Sequence, residues 1–112
     1  MNLPSLFLLV IGHCVADTAL QSAAMARGKS RHNPIDMGRV PKGQKPLNLW
    51  LHWLTHHALI HGGMVYLVTS RVDLALAETV LHWTIDFFKC ENKFNPHVDQ
   101  LLHIACKVVY AL

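Results

Sequence analysis

Histidines and carboxylates recur four residues apart, inside otherwise apolar sequence, at four places: His13, Asp17 and Gln21; His57 and His61; Glu78, His82 and Asp86; Asp99 and His103. A helix turns once in about 3.6 residues, so each set lies on one helical face. A polar stripe on an apolar helix is costly to bury alone. The pattern therefore predicts an all-α fold in which the four stripes meet at one shared polar centre.

The 112 residues allow one helical domain spanning 1–112. Helices are expected at about 4–25, 47–69, 71–89 and 96–112, joined by a basic loop at 26–46. Pro46 suits a first helical turn, Ser70 with Asp73 reads as a capping box, and Asn95 with Pro96 forms an N-cap and first-turn pair. The first stretch lacks any Lys or Arg before Arg27, so it reads as a retained helix rather than a signal peptide. Cys14 and Cys106 sit in apolar segments and read as small core residues.

With 52% hydrophobic and 15% charged residues, the expected architecture is a four-helix transmembrane bundle. The second helix carries no Lys, Arg, Asp or Glu between Pro46 and Thr69, and Leu6–Val10, Met64–Val68 and Val108–Leu112 are apolar nearly all round. Six of the ten basic residues (Arg27, Lys29, Arg31, Arg39, Lys42, Lys45) fall in the 26–46 segment beside a single acid, Asp36. Basic loops face the cytoplasm, which places the chain in an inner (cytoplasmic) membrane with both termini outside and membrane lipid as its surroundings. A nucleic-acid partner is not expected, because no aromatic residue interleaves these charges.

On that topology the polar residues occupy overlapping depths of roughly 5 to 21 Å from the cytoplasmic helix ends. Ionisable groups in such a setting cost about 2.5 to 3.5 kcal/mol each, so they should face one another and share protons or a metal. Imidazole with carboxylate is the ligand set of Zn, Mn and Fe sites. The candidate metal ligands are His13, Asp17, His57, His61, His82, Asp86, Asp99 and His103. Asp86 and Asp99, nearest the expected interface, are the candidate catalytic bases. Glu78 is a candidate partner for Lys107, His52, His56 and His97 read as interfacial, and His32 reads as a solvated loop residue.

Several classes are excluded by spacing. Ferritin-like di-iron centres use Glu-x-x-His, whereas the spacing here is four throughout. No H-E-x-x-H, G-x-S-x-G or P-loop pattern occurs.

The run from Gly12 through His13 and Asp17 to Gln21, the step from His57 to His61, the segment from Leu81 through His82 and Asp86 to Lys89, and Asp99-Gln100 followed by His103 together resemble a family of small multi-pass membrane proteins of bacteria and bacteriophages. That family is catalogued only as a domain of unknown function. The resemblance covers nearly the whole chain and implies an integral membrane helical fold in which these residues act as a unit. The sequence departs from it at Thr18, where an aromatic residue usually follows the motif aspartate.

Two functions from different classes are expected. One is a metal-dependent hydrolase acting on a lipid-borne or phosphate-ester substrate, with a divalent ion (Zn, Mn or Fe) as cofactor. The alternative is non-enzymatic: a membrane protein that assembles with itself or a host membrane protein, conducts protons or metal ions, or is a phage-encoded modulator of the host envelope.

Overall fold

Asn2 accepts the Ser5 amide at 3.1 Å and caps the first helix, with Pro4 in its first turn. The computed structural model covers residues 1–112 and holds five α-helices: α1 (Leu3–Asp17), α2 (Ala23–Gly28), α3 (Trp50–Thr69), α4 (Val72–Cys90) and α5 (Pro96–Tyr110). A short 3-10 turn, Met37–Arg39, interrupts the long segment before α3. Asn95 caps α5 by accepting the Val98 amide, with Pro96 in the first turn, as the sequence predicts.

Three helix boundaries differ from expectation. The first helix stops at Asp17 rather than near Met25, because the Thr18 hydroxyl bonds back to the Cys14 carbonyl and Ser22 starts a new helix by capping the Met25 amide. The helix expected from Pro46 begins at Trp50, where Asn48 Oδ1 accepts the Trp50 amide. Ser70 and Asp73 form no capping box. Ser70 instead ends α3 in the left-handed region (φ 55°), and Asp73 pairs with Arg71.

The four long helices run alternately up and down. α1 meets α3 at Gly12 and Met64, α3 meets α4 at Gly62 and Thr79, α4 meets α5 at Glu78 and Lys107, and α5 returns to α1, where the Asn2 amide donates to the Ala111 carbonyl. One end of the bundle is closed by a small apolar cluster of Leu9, Val65 and Ala111. α2 and the basic segment cover the other end. Between them the interior is polar: eleven buried residues are polar or charged and seven are hydrophobic. The high hydrophobic content is explained by the outside, where Phe7, Leu67, Val80 and Leu101 are exposed.

No helix is long and apolar enough to cross a membrane. This overturns the expected transmembrane bundle, the inner-membrane placement and the topology with both termini outside. The reason lies in length for two helices and in polarity for the others. α1 and α5 have 15 residues each, or about 22 Å against a hydrocarbon core of about 30 Å. α3 and α4 are longer, but α3 carries four histidines, and α4 carries Asp73, Glu78, His82, Asp86 and Lys89. Cys14, read as a core residue, is exposed.

Candidate metal centre

Each stripe turns inward, and all eight predicted ligands are brought together in one continuous network. α1 supplies His13 and Asp17, α3 supplies His57 and His61, α4 supplies His82 and Asp86, and α5 supplies Asp99 and His103. All are buried except Asp17, whose side chain is 22% exposed. Asp17 Oδ1 accepts from His61 Nε2 at 2.8 Å and lies 3.3 Å from His57 Nε2. His57 Nε2 is also 3.3 Å from Asp86 Oδ2, and His103 Nε2 sits 3.3 Å from Asp86 Oδ1 and 3.2 Å from Asp99 Oδ1. His82 reaches Glu78 through Nδ1 at 3.3 Å.

Three groups bring potential ligand atoms within 4.8 Å of one another: Asp17 with His57, His61 and His82; Glu78 with His82 and His103; and Asp86 with Asp99 and His103. The protein's own cations decide between them. Lys107 Nζ donates to Glu78, and Lys29 Nζ donates to Asp86 Oδ2 at 2.8 Å. Both lysines are buried, so Glu78 of the second group and Asp86 of the third are each already paired with an ammonium ion. The Asp17 group holds none. In that group His57 Nδ1 has no partner, and Nε2 lies 3.3 Å from both Asp17 Oδ1 and Asp86 Oδ2 without making a well-aligned hydrogen bond to either, although a buried polar atom left without a partner costs about 1 to 3 kcal/mol. The 3.3 Å between His57 Nε2 and Asp17 Oδ1 matches the ~3.3 Å edge of a tetrahedron with metal bonds of about 2.0 to 2.1 Å.

Protonation follows from position. Burial lowers His61 to about 3, the neighbouring His82 adds to this, and the Asp17 contact does not reverse it. Burial likewise lowers His13. A neutral imidazole offers a lone pair to a metal. Burial would raise Asp17, Glu78 and Asp86, yet their histidine partners reverse the direction. Asp17 and Asp86 fall well below the usual carboxylate range, and Glu78, also helped by Lys107, falls to about 2. Burial also opposes charge on His57 and His103, but their carboxylate neighbours win and raise both, His103 to about 9. The rings form a ladder: His61 stacks on His82 at 3.6 Å between centroids, and His82 stacks on His103 at 4.0 Å.

Two members of the centre were not among the predicted ligands. Lys29 reaches Asp86 and Gln21 from just beyond α2, and its position in a basic run gave no sign that it is buried. Gln100 links α5 to α1, donating to Asp17 and Asp99 and meeting His13 Nε2 through Oε1 at 3.0 Å. Its place beside Asp99 was the available signal. The Glu78 to Lys107 pair forms as the sequence suggested. His32 is an exposed loop residue, as the sequence suggested, and it also bonds Glu91 at 2.8 Å. His52 and His56 lie at the start of α3 outside the centre.

Residues 5–112 match a family model described as "Protein of unknown function (DUF3307)". No curated protein matches the chain, and no solved structure does.

Proposed function

We propose that this chain, which belongs to the DUF3307 family of proteins of unknown function, binds one divalent transition-metal ion through Asp17, His57, His61 and His82. The observation that carries this reading is the convergence of those four ligand atoms at a place that no lysine or arginine contacts, with His57 Nδ1 unpartnered and Nε2 held only at 3.3 Å from two carboxylates. Charge supports it. The centre contains the carboxylates of Asp17, Glu78, Asp86 and Asp99 against the buried ammonium groups of Lys29 and Lys107, leaving two negative charges before any histidine is protonated; His103, raised to about 9, takes up one and leaves one for a metal ion to meet. Three imidazoles and a carboxylate suit zinc first, with manganese and iron next.

The remaining predicted ligands surround the ion rather than bind it. Asp86 orients His57 and His103, and these rings with His82 hold it ionised, which makes it a weak base. Asp99 is the candidate general base: its Oδ1 lies 3.2 Å from His103 Nε2, and its Oδ2 accepts from Gln100 and faces the partly exposed Lys89 at 3.7 Å. Asp17 is the one ligand that solvent reaches. Bound there, a divalent ion would lower the pKa of a coordinated water and polarise an ester or phosphate, so the reaction class proposed is hydrolysis of an ester or phosphate ester.

The test is elemental analysis of purified protein supplied with zinc, manganese or iron. About one ion per chain is expected, and His57→Ala with His61→Ala should abolish it. A folded protein that takes up none of the three ions sinks the reading. The hydrolytic part is tested separately: Asp99→Asn should lower phosphate-ester turnover about 10² to 10⁴-fold while leaving metal content unchanged.

A second reading has its own support. His57 and His103 are the two histidines whose basicity is raised by carboxylates at 3.2 to 3.3 Å, and protonating both would balance the same two charges. Nitrogen NMR of labelled imidazoles separates the readings: a metal-bound His57 nitrogen supports the first, and a doubly protonated His57 ring in metal-supplied protein supports the second.

A further inference from the structure

A cavity of about 490 Å³ opens between α2, the basic segment and the start of α3, away from the buried centre. Its volume is within the range of small-molecule sites, roughly 300 to 1,000 Å³. Ala24, Val40 and Trp53 give it apolar walls, and Arg27, Arg39 and Lys45 bring charge to it. Asp36 is its one acid and is already paired with Arg39 at 3.3 Å. Arg27 and Lys45 have no carboxylate partner, so the lining presents two uncompensated positive charges beside an indole. The indole packs directly on the Gly28 backbone, where an added Cβ would come within 2.5 Å of Trp53 Cδ1.

A basic surface run is ordinarily a solvated face. This one differs because its charges line a concave space with an aromatic wall, where an anion can lose part of its hydration and an attached ring can cover apolar surface. We infer that the cavity binds a small organic dianion, a phosphate monoester carried on a planar apolar body, with Arg27 and Lys45 on the phosphate and Trp53 against the body. Arginine supplies paired N–H donors to phosphate oxygens, and lysine supplies a point charge.

The experiment is calorimetric titration of the full chain with phenyl phosphate, inorganic phosphate and phenol, supported by tryptophan fluorescence. Phenyl phosphate should bind saturably and at least about tenfold more tightly than either fragment, the size expected for one charged hydrogen-bonded contact. Arg27→Gln with Lys45→Gln should weaken phenyl phosphate about tenfold or more and leave metal content unchanged. Trp53→Leu should reduce its advantage over inorganic phosphate. Inorganic phosphate binding as tightly as phenyl phosphate would reduce the site to a charged surface and overturn the inference. So would phenol binding equally well, no saturable binding of phenyl phosphate, or a double variant that binds it unchanged.

Discussion

Lys107 shows how much rests on single residues in this interior. Its ammonium group is buried on the Glu78 carboxylate, which also faces His82. Removing one member of a buried pair leaves the other charge uncompensated, at a cost of about 3 to 5 kcal/mol. Lys107→Met should therefore lower unfolding stability by that amount in urea denaturation, and adding Glu78→Gln should recover part of it. Glu91 is a surface counterpart. Arg31 and His32 hold it at about 2, against an ordinary 4.5, and so tie the basic segment to the end of α4. A depressed carboxylate contributes fully above its unfolded value and loses that contribution as pH falls through its folded value. Protection factors in residues 30–48, exchange measured against the intrinsic rate at each pH, should fall as pH drops from 4.5 towards about 2, and Glu91→Gln should show lower protection already at neutral pH.

Among the elements, the α3 and α4 hairpin sets the geometry of the centre. Gly62 lets the two helices approach: a Cβ there would collide with Thr79 Oγ1 and come within 2.8 Å of the Ala75 carbonyl oxygen. Gly62→Ala should cost about 1 to 3 kcal/mol through overpacking. It should also reduce metal occupancy, since His61 is the adjacent residue. Gly63 has open space around it, so Gly63→Ala should gain up to about 1 kcal/mol from helix propensity. Thermal unfolding of the two variants gives opposite signs if the close approach is the cause. These helices were legible because His57 with His61, and His82 with Asp86, repeat at the helical period. The break after Asp17 was not legible, since the apolar pattern runs on through Leu20 and Ala23 while the decisive bonds come from Thr18 and Ser22. The membrane reading failed for a related reason: apolar composition does not say which face of a helix is buried, and here Leu67 and Val80 face out while His61 and His82 face in.

For the whole molecule, four helices depend on one polar centre for their mutual placement, so an ion bound there acts on global stability. An ion at a hundred times its dissociation constant adds about 2.7 kcal/mol, which should raise the midpoint of thermal unfolding by several degrees. A chelator should reverse the shift, and the His57→Ala, His61→Ala variant should show none. The buried residues, mostly polar, also have a calorimetric consequence. Exposing apolar groups raises the heat capacity of a chain, whereas exposing polar groups lowers it. With Leu9, Val65 and Ala111 as its only apolar cluster, this protein should unfold with a heat-capacity change below the usual range of about 12 to 15 cal/mol/K per residue. Its stability should then vary little with temperature on the cold side, and cooling should loosen it less than a domain of the same length built around leucine and valine.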